Sequence, residues 1–140
     1  QMGMKVAAGT DATRVSSYNP WLSLAWLATG KSLGDLQMYG DDNLLNRNEV
    51  LRLWTINGAA STSEDSLKGS LESGKLADLV VLARDFVPVP DDQLLRVESL
   101  MTIVDGEITY ARGPFEEHDS EPLPDISPAW SPVAEFGGYR

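Results

Sequence analysis

An aspartate, Asp11, ends a short apolar run in the stretch KVAAGTDATR. The run from Lys5 to Ala8 is uniformly apolar after its first residue, which is typical of a strand covered on both faces in a parallel sheet. Parallel sheets and barrels place their working groups at the carboxyl ends of their strands, where a carboxylate can accept and return a proton. By residue type alone, an aspartate here is most often a turn former or a helix cap, so both interpretations stay open.

We interpret the other polar residues that could take part in chemistry as residues of solvated loops. The single histidine, His118, lies in the acidic stretch PFEEHDSEP, where nothing supplies the orienting partner that a histidine base or ligand needs. Two acidic pairs, Asp41 with Asp42 and Asp91 with Asp92, sit beside loop signals, with weak calcium binding as the alternative. Because the chain has no cysteine, a thiol nucleophile, a thiolate metal site and a disulfide framework are excluded.

Motifs for other common chemistries are missing from the sequence. It contains no G-x-G-x-x-G and no P-loop, so the dinucleotide and phosphate interpretations lack their fingerprints. Trp21, Trp26 and Trp54 lie at helical spacing, which favours core packing over an aromatic ligand box.

Composition limits the partners. The 140 residues carry a formal net charge of -10, with 42% hydrophobic and 23% charged residues, so we expect a globular chain that nucleic acid and anionic membranes repel. The longest apolar stretch, around PWLSLAWLAT, is about ten residues, roughly half of what a membrane span needs. No signal peptide is visible, so the location is cytoplasmic or stays open.

Two helices are predicted in the first half of the chain. In SYNPWLSLAWLATGKS, Asn19 is a candidate N-cap, Pro20 suits the first helical position and Gly30 is a stop signal, which predicts a helix from Pro20 to Thr29. A loop through YGDDNLLN follows. In NRNEVLRLWTINGAAS, Asn46 and Glu49 form a capping-box pattern, and the apolar period predicts a helix that ends at Gly58.

Strands are predicted in the second half. KGSLESGKLADLVVLARD places a polar turn at residues 72–75 between two β-prone pieces, the second running from Ala77 to Ala83. SLMTIVDGEITYA predicts strands at residues 100–104 and 107–111, joined by the two-residue turn Asp105-Gly106. Proline and acid dominate residues 113–140, which predicts an extended tail anchored by the aromatic residues Trp130, Phe136 and Tyr139.

Four stretches resemble, in order, the carboxyl-terminal portion of metal-dependent amidohydrolases, in particular the family 3 branch. They are GTDATRVSSYNPWLSLAWLATGKS, LNRNEVLRLWTINGAA, KGSLESGKLADLVVLARDF and MTIVDGEITYA, and the tail PAWSPVAEFGGY adds to the likeness. The pieces G-T-D-A and G-K-L-A-D-L-V-V-L are the specific ones. They resemble the last strand of the family's barrel and its flanking β-domain.

The resemblance implies a role for Asp11. In the family, the matching aspartate approaches a divalent metal, which we expect to be zinc in the parent enzyme, and handles the proton of the attacking water. Arg14 and Tyr18 follow in the loop that would cover the metal, where a guanidinium would hold a substrate carboxylate. A structural ion pair is an equal alternative for Arg14. With one histidine, the isolated chain cannot assemble a histidine-rich zinc site, so no metal is expected in it.

The family's remaining ligands would lie upstream of Gln1, so we interpret the chain as a carboxyl-terminal fragment that is inactive alone. The implied fold class is α+β. Residues 1–60 would form the last β-α unit of a TIM-type barrel with helices, 61–112 strands of the composite β-sandwich, and 113–140 the tail. The implied function is hydrolysis of a non-peptide carbon-nitrogen bond in an amide, cyclic amide or N-acyl substrate. The alternative is a non-catalytic β-rich binding or assembly module, and uncovered edges and apolar faces predict a homodimer.

Overall fold

The computed structural model describes residues 4–12, 18–32 and 34–120. Within these ranges three helices come first, namely α1 (Pro20–Thr29), α2 (Arg47–Trp54) and α3 (Ile56–Ser61). Three strands follow, β1 (Leu79–Leu82), β2 (Ser99–Val104) and β3 (Glu107–Ala111), with 3-10 helices at Asp41–Asn43, Asp91–Arg96 and Gly113–His118. The described chain thus combines helices with a small antiparallel sheet. None of its helices has the length and apolar character needed to cross a membrane.

Helix α1 has the predicted bounds and the predicted caps. The Asn19 side chain accepts a hydrogen bond from the Trp21 amide at 2.9 Å, and Pro20 occupies the first turn. At the other end Gly30 adopts φ 69°, and its amide donates to the Trp26 carbonyl at 2.8 Å. Local signals therefore determine both ends of this helix.

The second predicted helix begins as expected but does not end at Gly58. Asn46 and Glu49 form the capping box, with reciprocal hydrogen bonds of 3.0 and 2.9 Å. The helix then breaks at Thr55, whose φ of -117° and ψ of -97° lie outside the helical region, and α3 carries the chain through Gly58 to Ser61. The predicted end was wrong because the contacts that interrupt the helix come from elsewhere in the chain.

Residues 5–8 do not form the predicted buried strand in this structure. These residues have no strand pairing in the structure, and the nearby apolar side chains Met4 and Val6 are 72% and 56% exposed. A doubly covered parallel strand needs hydrogen-bonded neighbours on its flanks. In the described part of the chain, the segment instead lies against helices α2 and α3.

The sheet has the order β1-β2-β3, and all its pairs are antiparallel. Both strands of the predicted hairpin are present, with β2 beginning one residue early. Asp105 and Gly106 adopt φ of 51° and 83°, as a type I′ turn requires. The strand predicted from Ala77 to Ala83 is confirmed in its centre as β1.

The β-prone piece before residues 72–75 forms turns and not a strand. Gly69 adopts φ 91°, which interrupts extended backbone, and Leu71 is 76% exposed. The ammonium of Lys75 donates to the Asp65 carbonyl and to the Ser70 hydroxyl, both at 2.6 Å, and the Ser70 hydroxyl donates to Glu72. This network holds the segment as a compact loop.

The core lies between α1, α2 and the 3-10 helix at residues 91–96. Its buried side chains are Leu24, Ala25, Val50, Phe86, Val89, Leu94 and Val97. Trp21 and Trp54 pack against this cluster, as predicted. Trp26 does not: it is 44% exposed and meets Tyr39 edge-on at 5.9 Å between ring centroids.

The beginning of the predicted extended tail forms the 3-10 helix Gly113–His118. Just beyond it, Asp119 accepts a hydrogen bond from the Ala111 amide at 2.7 Å, and the Ser120 hydroxyl donates to the Thr109 carbonyl at 3.1 Å. These bonds fasten the chain to β3. Residues 121–140, with the predicted aromatic anchors, lie outside the described residues.

Candidate functional site

Asp11 lies on the surface, near the end of the segment formed by residues 4–12. Its backbone adopts φ 49°, a left-handed conformation that aspartate tolerates better than most residues. The Thr10 hydroxyl accepts a hydrogen bond from the Ala12 amide at 3.2 Å and so closes a local turn around Asp11. The carboxylate is therefore carried on a turn in which solvent can reach it.

Three contacts tether this segment to the helices and to the loop behind them. The Asn57 side-chain amide donates to the Val6 carbonyl at 2.8 Å, and the Ala8 amide donates to the Leu53 carbonyl at 3.1 Å. An ion pair of 2.9 Å joins Lys5 to Asp65. The chain is thus fixed at three points within the seven residues that precede Asp11.

The break at Thr55 makes the Leu53 contact possible. The last four carbonyls of an α-helix lack partners inside the helix. In α2, the Thr55 hydroxyl donates to the Leu51 carbonyl at 2.7 Å, the Thr55 amide to the Arg52 carbonyl at 3.4 Å, and the Ala8 amide to the Leu53 carbonyl. In an unbroken helix the Leu53 carbonyl would instead accept from the amide of Asn57.

The ion pair also affects ionisation. The hydrogen bond from Lys5 is the largest of the effects that lower the pKa of the Asp65 carboxyl below its ordinary value of 3.8. Both side chains are exposed to solvent, so salt screens their attraction. The charged contact therefore orients the segment more than it stabilises the fold.

Of the two predicted substrate contacts, Tyr18 lies within the described residues and Arg14 does not. Tyr18 lies just before the N-cap of α1 and is 55% exposed. Arg14 falls within residues 13–17, outside the described residues. The predicted grouping of these side chains with Asp11 therefore stays a prediction.

No group of three histidine, cysteine, aspartate or glutamate side chains in the described ranges is arranged to hold a metal ion. Asp11 offers one carboxylate, so these residues do not fit a complete metal centre. The two acidic pairs lie at the starts of 3-10 helices and are exposed, and Asp91 forms an ion pair with Arg47. His118 is exposed and lies 3.5 Å from the Glu117 carboxylate.

Sequence reasoning missed Asn57 as a functional candidate. The sequence period puts Asn57 on the same helical face as Val50, Leu53 and Trp54, where an unpaired amide would be costly to bury. Its actual partner, the Val6 carbonyl, is 51 residues away in the sequence. The sequence does contain one indication of this role, because an asparagine on an otherwise apolar helical face often forms a hydrogen bond to backbone.

Similarity to known proteins covers most of the chain. A sequence model of the amidohydrolase family matches residues 1–110. The N-substituted formamide deformylase of Arthrobacter pascens is 33% identical over 110 residues, 79% of this chain and 20% of the relative. The imidazolonepropionase of Thermoplasma acidophilum is 49% identical over 73 residues, 51% and 18% of the two chains. The 5-methylthioadenosine/S-adenosylhomocysteine deaminase of Desulfovibrio desulfuricans is 32% identical over 136 residues, which cover 88% of this chain and 29% of the relative.

Among solved structures, E. coli guanine deaminase matches 79% of this chain and 28% of its own, with a TM-score of 0.57 and 25% identity. The present chain spans between about a fifth and three tenths of the length of the curated relatives described above.

Proposed function

The chain belongs to the amidohydrolase family, and from that premise we propose that it is the carboxyl-terminal part of a hydrolase that cleaves non-peptide carbon-nitrogen bonds. The family match over residues 1–110 is the observation that carries the proposal, because it includes Asp11 and every element that holds it. The relatives are named as a deformylase, an imidazolonepropionase and deaminases. Their substrates differ, and hydrolysis at carbon bonded to nitrogen is what they share.

In this proposal Asp11 moves the proton. Water attacks the carbon of the amide, cyclic amide or N-acyl group, and the Asp11 carboxylate accepts the proton that the water loses. The carbon-nitrogen bond then breaks, and the same carboxyl group returns the proton to the leaving nitrogen. An accessible carboxylate on a tethered turn suits this role, since it can reach a bound substrate without losing its position.

The metal is part of the proposal for the whole enzyme. A divalent cation, zinc by resemblance, would lower the pKa of the attacking water. Asp11 is the one described residue that we propose to approach it, and the remaining ligands would have to come from outside the described residues. Arg14 and Tyr18 are proposed substrate contacts, Arg14 for a carboxylate on the substrate.

We also propose the architecture implied by the family. Residues 1–60 would close a TIM-type barrel, with the tethered segment as its last strand, residues 61–112 would belong to a flanking β-sandwich, and residues 113–140 would form a tail. The likeness to guanine deaminase and the antiparallel sheet support this assignment. The tethered segment would gain strand pairing only where neighbouring strands flank it.

A second candidate is a non-catalytic β-rich binding or assembly module. It is favoured by the lack of a three-ligand metal group within the described residues. The two candidates differ in metal content and activity. Stoichiometric zinc in the purified chain, with turnover that a chelator abolishes, would favour catalysis by the chain itself, whereas we expect the chain alone to hydrolyse no amide or N-acyl amino acid.

A chimera tests the catalytic role directly. Residues 1–110 of this chain, the part that the family model matches, would replace the corresponding residues of the Arthrobacter pascens deformylase, and hydrolysis of an N-substituted formamide would be measured. We expect Asp11→Asn to lower kcat by roughly 10²–10⁴-fold while metal content stays unchanged. Asp42→Asn, at an exposed carboxylate in the Asp41–Asn43 turn, is the matched control. A folded, metal-loaded chimera with the same rate for Asp11→Asn would refute the assignment.

A further inference from the structure

The Asn57 side chain makes a contact that the fold of the core does not require. Its amide donates at 2.8 Å to the carbonyl of Val6, a residue whose own side chain is 56% exposed. The buried cluster contains neither residue. The contact therefore serves the placement of the segment rather than the packing beneath it.

The geometry points to Asn57 as a positioning residue for Asp11, an inference that rests on the proposed function of Asp11. Two hydrogen bonds to α2 and α3 act on neighbouring parts of the segment, Asn57 on the Val6 carbonyl and the Leu53 carbonyl on the Ala8 amide. Together they fix both the position and the direction of the chain. Three residues beyond the second bond, the chain reaches Asp11.

The loop after α3 supports the same contact. Gly69 packs so closely on the start of α3 that an added Cβ would lie 2.8 Å from the Ile56 Cα. Ile56 is the residue just before Asn57, so this close approach fixes the helix that carries the amide. The loop also contains Asp65, which pairs with Lys5 of the segment. The loop and α3 thus form the support on which the Asp11 turn is held.

An asparagine is suited to this task by its donor. The Val6 carbonyl needs a donor, which the Asn57 amide nitrogen supplies and an aspartate of the same shape would not. The variant Asn57→Asp therefore keeps the side-chain volume and removes the hydrogen-bond donor, whereas Asn57→Ala removes both the donor and most of the side chain. Asn48, exposed on α2, gives a matched control in Asn48→Ala.

Amide hydrogen exchange and ¹⁵N relaxation in the full 140-residue chain test the inference. The Ala8 amide reports on the tether, and the Val50 amide, bonded to the Asn46 carbonyl at 3.0 Å, reports on the core. We expect Asn57→Ala and Asn57→Asp to speed Ala8 exchange by about 5–10-fold, with Val50 exchange unchanged. Asn48→Ala should change neither rate by more than about twofold.

The relaxation data test positioning itself. The backbone order parameter at Asp11 should be about 0.85 in the unmodified chain and should fall to about 0.6 in both Asn57 variants. Equal changes at Ala8 and Val50 would show a general loss of stability and overturn the inference. So would unchanged Ala8 exchange, or an Asp11 order parameter already below about 0.6 without any substitution. None of these outcomes depends on turnover, so they are separate from the Asp11→Asn test.

Discussion

Gly69 offers the sharpest test of how the loop supports the Asp11 segment. It adopts φ 91°, and a Cβ at this position would lie 2.8 Å from the Ile56 Cα and 2.9 Å from the Ala59 Cβ. The nearest of these atoms is backbone and cannot rotate away. Gly74 adopts nearly the same φ, 92°, but nothing lies within 4 Å of its Cβ position. Gly69→Ala and Gly74→Ala therefore share the conformational penalty and differ in the collision.

The two penalties have separate magnitudes. Placing a residue with a Cβ in a left-handed conformation costs roughly 1–2 kcal/mol, and both variants should lose about that much free energy of unfolding. Forcing an extra methyl group against packed backbone costs typically about 1–3 kcal/mol more. Gly69→Ala should therefore lose roughly 2–5 kcal/mol in total, enough to remove a large part of the stability of a small domain.

Urea denaturation measures both losses on the same scale. With a urea m-value of about 1–3 kcal/mol per molar, the additional loss of about 1–3 kcal/mol should place the midpoint of Gly69→Ala roughly 0.3–3 M below that of Gly74→Ala. The Ala8 amide should also exchange faster in Gly69→Ala, because the start of α3 must shift to admit the methyl group. Equal midpoints for the two variants would refute the proposed close packing of this loop on α3.

Three further outcomes are expected, the first from the proposed role of Arg14 and the other two from the structure. In the active chimera, Arg14→Ala should raise KM more for anionic than for neutral amides, and equal rises would remove Arg14 from the substrate site. Lys5 holds the pKa of the Asp65 carboxyl below 3.8 in the folded chain. The carboxylate therefore contributes its full stabilisation above pH 3.8 and loses it as the pH falls through the pKa of the folded state. Asp65→Asn should accordingly reduce the fall in urea midpoint between about pH 6 and pH 2. We also expect a dimer by sedimentation at micromolar concentration, because apolar side chains such as Trp26 stay uncovered, and a monomer with low dye-detected hydrophobic exposure would contradict this.

The features predicted from sequence are those that neighbouring residues determine. The caps of α1, the capping box of α2 and the Asp105-Gly106 turn each depend on side chains within a few residues of the backbone groups they satisfy. The end of α2 and the state of residues 5–8 depend on each other across 45 residues, from Ala8 to Leu53. Neither an apolar helical period nor a short apolar run contains information about such a pairing, so the structure differs from the sequence-based expectation at both places.

The candidate site divides in the same way. Asp11 could be proposed from the sequence because the G-T-D-A motif lies in one short stretch that resembles a family. Its support is not identifiable, because Asn57 and Asp65 reach the segment from 51 and 60 residues away. Asn57 sits within a good helical pattern, and only the folded backbone reveals that its amide faces a carbonyl outside the helix.

The break in the helix and the placement of Asp11 are one structural feature. In a continuous helix through Thr55, the backbone amide of Asn57 would donate to the Leu53 carbonyl, and the Ala8 amide would then lose its partner. The break leaves the Leu53 carbonyl free to accept from the Ala8 amide. The Thr55 hydroxyl and backbone amide donate to the carbonyls of Leu51 and Arg52. Thr55 is suited to this because its hydroxyl bonds to backbone and its branched side chain is a weak helix former. The break at Thr55 thus frees the Leu53 carbonyl, which helps to hold the proposed catalytic turn.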